Sequence, residues 1–225
     1  MMNTKVIVIV NQKGGCGKTT IAMQLAGTLG REGKKVLVVD ADPQGTALRW
    51  AANADDKKLF PASISGLSAA GGKVHREIGK HVGEYDLIFV DCPPAIDSLI
   101  PQSALMVADV ALVPVIPSPA DLWAANGIQA LIERMQINNE KLKAYIVPNM
   151  CAWTNLTKEA LTVMDGIGMK RTSAFLSNRN PYRQSAIIGG TVFDLKGEGA
   201  EKAQEELEKL KEELLQILNI PESVS

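Results

Sequence analysis

The sequence predicts an α/β fold, a doubly wound and mostly parallel sheet flanked by helices, on three observations. Five runs rich in Val, Ile and Leu recur along the chain. Such nearly continuous apolar runs are typical of strands buried on both faces of a parallel sheet. Helical patterns lie between the runs, and alternating strands and helices indicate a doubly wound sheet. A glycine-rich stretch joins the first run to the first helical pattern. The predicted strands are residues 5–10, 35–39, 87–90, 110–116 and 144–148.

The helical patterns follow these strands in order. Apolar residues at helical spacing begin at Ile21 after the glycine-rich stretch, and Ala104, Leu105 and Ala108 follow the third strand. Residues 122–135 follow the fourth strand in the same way. The segment 63–73 is rich in Gly, Ser and Ala, which predicts a flexible connection.

Residues 198–219 are predicted to form a C-terminal amphipathic helix. Its apolar positions recur at alternating spacings of four and three, with Glu and Lys elsewhere. A partner helix and a membrane helix are alternatives, but membrane-surface helices favour Lys, Arg and aromatic residues. This segment is rich in Glu and lacks aromatics, so we expect it to pack on the core of its own domain. The stripe consists of Ala203, Leu207, Leu210, Leu214, Ile217 and Leu218.

Length and composition limit the possible classes of protein. The 225 residues suffice for one α/β domain, expected to span 1–225. No apolar run is long enough to cross a bilayer, and a strand begins too early for a signal peptide. Three widely spaced cysteines match neither a metal site nor a disulfide framework, which favours a reducing cytoplasm. The formal net charge is −1, so any DNA contact must come from a local basic patch.

Residues 11–20 read Asn-Gln-Lys-Gly-Gly-Cys-Gly-Lys-Thr-Thr and predict a phosphate-binding loop. Between a strand and a helix, such a loop wraps a phosphate chain with its backbone N–H groups, and the helix dipole adds to the attraction. Lys18 supplies a positive charge for the β and γ phosphates, and the Thr19 hydroxyl suits Mg²⁺. The predicted nucleotide-binding residues of the loop are Lys13, Gly14, Gly15, Cys16, Gly17, Lys18, Thr19 and Thr20.

The loop departs from the usual G-x-x-x-x-G-K-[ST] pattern. Gln12 stands where the first glycine is expected, and a second lysine, Lys13, precedes the glycine pair. The plain alternative is that Lys13 is a solvated loop lysine. The pattern K-G-G-x-G-K-[ST] resembles the deviant Walker A box of the ParA/MinD family of P-loop ATPases. The resemblance implies that Lys13 reaches across a dimer interface to the nucleotide of a partner subunit.

Aspartates end two of the predicted strands. Asp40 and Asp42 follow the second strand, and Asp91 follows the third. Carboxylates at the carboxyl ends of parallel strands face the crevice where ligands bind, although a lone Asp there is often only a cap or turn former. We expect both strands to flank the phosphate loop. The pair resembles the D-x-D-P-Q box of the ParA family, and Asp91 resembles its Walker B aspartate. The resemblance implies that Asp91 binds the Mg²⁺ shell, that Asp42 contacts the metal and positions the hydrolytic water, and that Asp40 supports loop and metal.

Further segments match the same family. Residues 115–122 resemble its proline-rich turn after the fourth strand, which implies that Pro117 faces the nucleotide. Residues 177–194 resemble its late loop and helix. The guanine-specific box of GTPases is missing, which favours ATP. Asn149, after the fifth strand, is a candidate to bind the adenine amino group, or it simply ends a strand.

A stretch of basic residues is the candidate DNA-binding patch. Between residues 166 and 193 every charged residue is basic, and Lys or Arg contacts to phosphates support binding without sequence preference. The alternatives are an ordinary surface, or arginines that serve the nucleotide or the fold. With no room for a helix-turn-helix domain ahead of the loop, operator binding is not expected. The candidates are Lys158, Lys170, Arg171, Arg179 and Arg183.

The resemblance implies a ParA-like ATPase that segregates or positions a plasmid, a chromosome or a protein compartment. It implies Mg²⁺ and ATP as cofactors, an ATP-bound homodimer, non-specific DNA binding on the nucleoid, and an adaptor protein that triggers hydrolysis. Lys13, Lys18 and Asp42 are then the catalytic residues.

Three alternatives belong to other classes. A membrane-cycling MinD-like ATPase is disfavoured by the acidic terminal helix. A redox enzyme such as the nitrogenase iron protein needs paired cluster cysteines, which Cys92 and Cys151 do not match. An interaction module with a dead site is disfavoured by the complete set of Lys18, Thr19, Asp42 and Asp91.

Overall fold

The computed structural model describes residues 4–94, 98–152 and 155–221, with the backbone alone for 155–158. Its strands form one seven-stranded sheet in the order β3-β2-β4-β1-β5-β6-β7, and every pairing between neighbours is parallel. The predicted doubly wound α/β fold is therefore confirmed. The strands are β1 Lys5–Ile9, β2 Val36–Asp40, β3 Ser63–Gly66, β4 Leu87–Asp91, β5 Val110–Val115, β6 Lys143–Pro148 and β7 Lys170–Arg171.

Helices cover both faces of the sheet because side chains alternate along each strand. Val6 and Val8 of β1 face one cluster of buried residues, whereas Ile7 and Ile9 face the other. Helices α3 to α6 pack on the first cluster, and α1, α2, α7 and α8 pack on the second. The helices are α1 Lys18–Arg31, α2 Thr46–Ala52, α3 Val74–His81, α4 Leu99–Leu105, α5 Pro119–Asn138, α6 Asn155–Asp165, α7 Asn180–Ile187 and α8 Glu198–Leu218.

The sequence patterns missed the two edge strands, β3 and β7. The segment 63–73, predicted to be a flexible connection, forms β3 and a 3₁₀-helix over Ser68–Lys73. β3 has only four residues, Ser-Ile-Ser-Gly, and none of them is fully buried. Such a strand lacks the apolar run that marks the central strands, and its pairing with β2 defines it.

Helix α8 lies against the second cluster of buried residues. Leu207, Leu210 and Leu214 are each no more than 1% exposed there, so its apolar stripe is covered by the protein's own core. Among the helices described, none is long and apolar enough to cross a membrane.

Gly30 allows α1 to lie close to the loop before β3. A Cβ on this residue would lie 2.3 Å from the carbonyl oxygen of Pro61. Gly30→Ala is therefore expected to destabilise the protein by roughly 1–3 kcal/mol, because backbone must move to accommodate the methyl group. Denaturant unfolding measures the change in the free energy of unfolding.

Gly79 of α3 is the matched control, since a Cβ there meets nothing within 4 Å. Gly79→Ala is expected to stabilise the protein by about 0.5–1 kcal/mol, through helix propensity and a less flexible unfolded chain. Equal effects of the two substitutions would show that the Pro61 contact does not limit the packing of α1.

Candidate nucleotide-binding site

The order of the strands brings the glycine-rich loop and the aspartates to one edge of the sheet. The loop follows β1, and β1 pairs with β4, so that Asp91 stands opposite Ile9. Asp40 stands opposite Asp91 across the β2–β4 pair. We expected both Asp-bearing strands to flank the phosphate loop; β4 lies next to β1, which precedes the loop, whereas β2 is separated from β1 by β4. The carboxylates still converge, since parallel strands end at the same edge.

The loop adopts a conformation that requires glycine. Gly15 and Gly17 have φ angles of 74° and 91°, in the left-handed region that favours glycine. Gly17 is also the N-cap of α1, and a Cβ there would lie 2.1 Å from Nδ2 of Asn149. Because α1 begins at Lys18, directly after this glycine, the N–H groups of its first turn lie at the loop, where they favour an anion.

Three side-chain amides fix the loop to the sheet edge. Nδ2 of Asn11 donates to the carbonyl of Pro114 at 2.6 Å, and Nε2 of Gln12 donates to that of Ala124 at 2.7 Å. Gln12, which stands in place of the first glycine of the usual phosphate-binding pattern, thus ties the loop to α5 through its side chain. Nδ2 of Asn149 donates to the carbonyl of Cys16 at 2.7 Å. In this structure the side-chain amide of Asn149 therefore holds the loop. Its contact with the adenine amino group stays a prediction.

A cavity of about 360 Å³ opens above the loop. It brings together seven of the predicted residues, namely Gly14, Gly15, Gly17, Lys18, Thr19, Thr20 and Asp42. Sequence reasoning missed Gln44, Thr46, Pro94 and Met150, which also line it. Met150 has a φ of 52°, unusual for a residue other than glycine, and strained backbone of this kind is enriched at functional sites.

The carboxylates beside this cavity suit Mg²⁺. The Thr19 hydroxyl donates to Oδ2 of Asp91 at 2.6 Å, while Oδ1 of Asp91 is buried with no hydrogen-bond partner. Burial raises the pKa of Asp91 to about 7. The described residues contain no cluster of three or more His, Cys, Asp or Glu that could hold a metal alone. The buried carboxylate of Asp91 beside the Thr19 hydroxyl suits Mg²⁺, which usually takes one or two carboxylates with phosphate oxygens and water.

Asp40 and Asp42 form a supporting hydrogen-bond chain. Asp40 is buried, and its carboxylate accepts the backbone N–H of Asp42 at 3.2 Å and that of Leu48 at 3.0 Å. Burial raises the pKa of Asp40. Asp42 is partly exposed at the cavity, and its Oδ1 accepts the N–H of Gln44 at 2.9 Å. Asp40 therefore orients the turn that carries Asp42.

Both loop lysines are held within the chain. Nζ of Lys13 lies 2.6 Å from Oδ2 of Asp121, a carboxylate that is 3% exposed and also accepts the Ser118 hydroxyl. Nζ of Lys18 donates to the carbonyl of Lys13 at 2.9 Å. Lys13 is 39% exposed, so it lies at the surface and is anchored at its tip.

A second cavity, of about 300 Å³, adjoins the first and shares Thr19, Thr20, Thr46 and Met150 with it. Pro117 is buried in the turn between β5 and α5 and lines neither of these two cavities. The remaining wall of the second cavity consists of Trp50, Asn149, Ser177, Asn178, Arg179, Tyr182, Arg183 and Ala186.

The basic residues predicted to bind DNA differ in their surroundings. Arg171 pairs with Asp165, with Nε 2.8 Å from Oδ1, and Arg179 pairs with Glu206 at 2.8 Å. Lys170 and Arg183 are exposed, the first on β7 and the second on α7. The side chain of Lys158 lies outside the described residues. The cluster predicted from the sequence is therefore spread over several elements, with two of its arginines already paired to carboxylates.

A glycine-rich loop that joins a buried strand to the N-terminus of a helix, with a cavity above it, is typical of the P-loop nucleotide-binding proteins. The chain belongs to the CobQ/CobB/MinD/ParA nucleotide binding domain family, which it matches over residues 7–224. The resemblance to the ParA/MinD family, predicted from the loop and the aspartates, is confirmed at this level.

Two relatives of named function are similar in sequence to this chain over about two thirds or more of their own length. The maintenance of carboxysome distribution protein A of Halothiobacillus neapolitanus is 32% identical over 200 residues, covering 88% of this chain and 91% of that protein. The chromosome-partitioning ATPase Soj of Thermus thermophilus is 31% identical over 182 residues, covering 67% of this chain and 68% of Soj.

Solved structures show the same fold. A variant of McdA from Cyanothece in complex with ATP has a TM-score of 0.79 at 20% identity, and the match covers 100% of both chains. The septum site-determining protein MinD of Pyrococcus horikoshii, complexed with Mg-ADP, has a TM-score of 0.74 at 23% identity. That match covers 96% of this chain and 97% of MinD.

Proposed function

We propose that the protein is a ParA-like ATPase that forms a dimer around two ATP molecules, binds DNA non-specifically and positions or segregates a cargo. The cofactors are ATP and Mg²⁺. The observation that carries the proposal is the second lysine of the loop. The side chain of Lys13 is partly exposed, and the residue directly precedes Gly14 at the phosphate cavity, which supports a role toward a second subunit.

The phosphates would lie in the cavity above the loop. The N–H groups of the loop and of the α1 N-terminus bind them, and Lys18 leaves the Lys13 carbonyl to contact the β and γ oxygens. The Thr19 hydroxyl and the unpartnered Oδ1 of Asp91 would hold Mg²⁺, which neutralises charge on the phosphates when bound. Asp42, at the edge of the cavity, orients the attacking water through its carboxylate.

Lys13 supplies positive charge to the nucleotide of the other subunit, much as an arginine finger supplied in trans does. To do so, its ammonium must exchange the carboxylate of Asp121 for phosphate oxygens. The exchange links the loop to α5, because Asp121 lies in the first turn of that helix. An adaptor protein would stimulate hydrolysis by favouring the arrangement in which Lys13 faces the partner.

The kind of cargo is proposed from the named relatives, because the residues of the site do not indicate it. One named relative maintains carboxysome distribution and another partitions chromosomes. A protein compartment or a DNA molecule is therefore the proposed cargo. A ParB-like protein or a cargo adaptor is the proposed partner, and the nucleoid is the surface on which the cycle runs.

The test of this proposal is DNA binding measured with ADP and with a non-hydrolysable ATP analogue over a series of salt concentrations. We expect binding only with the ATP analogue, because the dimer doubles the number of basic contacts. The association constant should fall steeply with salt, since counterion release drives such binding. Equal DNA binding with ADP, or none in either state, would contradict the proposal.

Two neighbouring residues supply a matched pair for that assay. Lys170→Ala should reduce the slope of log K against log salt by about two units, because each lost phosphate contact lowers it by about one and the dimer carries Lys170 on both subunits. Arg171→Ala should change the slope less, because its guanidinium is paired with Asp165.

A further inference from the structure

The carboxylate of Glu206 in helix α8 contacts residues that form the wall of the second cavity. Its Oε2 accepts the backbone N–H of Ser177 at 2.9 Å, and its Oε1 accepts the Ser177 hydroxyl at 2.7 Å. Oε1 also accepts Nε and Nη2 of Arg179, at 3.0 and 2.8 Å. The Tyr182 hydroxyl lies 3.3 Å from Oε2 and 3.1 Å from the carbonyl oxygen of Ala203, also in α8. One side chain of α8 thus contacts Ser177 and Arg179, which lie between β7 and α7, and Tyr182 of α7.

All three of these residues line the second cavity. The side chain of Glu206 is 12% exposed and that of Arg179 is 22% exposed, so the ion pair is partly shielded from water. In such surroundings a charge-assisted pair is stronger than at an open surface. The Nε and Nη2 contacts fix the plane of the guanidinium as well as its position.

The position of the second cavity indicates which part of a nucleotide it receives. It shares Thr19 and Thr20, at the N-terminus of α1, with the phosphate cavity. A nucleotide whose phosphates lie on the loop therefore extends its sugar and base toward Trp50 and Arg179. A guanidinium held in one plane can stack on an aromatic base, whereas one free to rotate loses that orientation.

We propose that Glu206 is a positioning residue for the nucleotide, which fixes Ser177 and Arg179 as one wall of the pocket for the purine nucleoside. This inference rests on the proposed function in taking ATP as the ligand. It gives α8 a role in nucleotide affinity beyond covering the core.

The same helix provides a matched control two turns further on. Glu213 accepts the N–H and hydroxyl of Ser173, both at 3.0 Å, and the N–H of Ala174 at 2.9 Å. Like Glu206, it accepts a backbone N–H and a serine hydroxyl, although it has no arginine partner, and neither Ser173 nor Ala174 lines either cavity. A purely structural role would make the two carboxylates equivalent.

The experiment compares the affinities of Glu206→Ala, Glu213→Ala and wild-type protein for ATP and for inorganic triphosphate, by competition against a fluorescent ATP analogue. We expect Glu206→Ala to weaken ATP roughly tenfold, the effect of losing one charge-assisted interaction. Its affinity for triphosphate, which occupies only the phosphate cavity, should be unchanged. Glu213→Ala should bind both ligands as the wild type does. Should Glu206→Ala fail to fold, Glu206→Gln and Arg179→Ala replace it, with the same expected selectivity.

Two results would overturn the inference. Either Glu206→Ala and Glu213→Ala bind ATP alike, or Glu206→Ala weakens ATP and triphosphate equally. Failure of the wild-type protein to bind ATP would instead remove the proposed function, and the two failures are therefore distinguishable.

Discussion

Lys13→Ala should fold, bind ATP and remain monomeric with a non-hydrolysable ATP analogue at concentrations where the wild type dimerises. The reason is that two triphosphates facing each other repel, and Lys13 of each subunit offsets that charge. Because a cation supplied in trans is typically worth roughly 10³–10⁵-fold in turnover, hydrolysis should fall by at least roughly a thousandfold. Sedimentation velocity measures the dimer, and phosphate release measures turnover.

The controls follow from the contact that Lys13 makes in the structure. Removing Lys13 leaves the buried carboxylate of Asp121 without its cation, which by itself destabilises the fold. The double variant Lys13→Ala with Asp121→Asn removes that unpaired charge and should also stay monomeric. Lys57→Ala, at an exposed lysine of another loop, should dimerise normally. Dimer formation by Lys13→Ala at the wild-type concentration would reject the proposed role of Lys13.

Asp42→Ala should bind ATP and dimerise but release phosphate at least roughly a hundredfold more slowly, because the attacking water loses the group that orients it. Single-turnover phosphate release, with ATP affinity measured separately, distinguishes slow chemistry from weak binding.

Asp42→Asn is the control for a structural effect of that change. The amide oxygen can still accept the N–H of Gln44, as Oδ1 of Asp42 does at 2.9 Å, so the turn is retained while the charge is lost. Both variants should be equally slow if the carboxylate acts on the water. Normal turnover by Asp42→Asn would assign Asp42 to the turn alone, and normal turnover by Asp42→Ala would exclude both roles.

The central strands could be predicted because their signal is local. Runs such as 87–90 are apolar at every position, and β4 buries all five of its residues. The edge strands could not be predicted in this way, because β3 and β7 are short and partly exposed and are defined by their pairing.

The residues of the site differ in the same way, because some belong to a local sequence motif and others do not. The glycines, Lys18 and Thr19 lie within a few residues of one another, so their spacing alone indicates phosphate binding. Met150 lines both cavities without belonging to a recognisable motif, and no local signal marks it. The basic stretch after residue 166 reads as one patch in the sequence, yet Arg171 and Arg179 are bound to carboxylates of separate helices.

The sequence by itself determined the chemistry of the loop, the class of fold and the family, since glycine spacing, apolar runs and charged side chains are local properties. Only the tertiary structure decided which distant groups these side chains meet. Lys13 pairs with Asp121, 108 residues away, and Asn149 holds the Cys16 carbonyl across 133 residues. Such contacts depend on the order of strands in the sheet and on which carboxylates are buried, and both arise from packing of the whole chain.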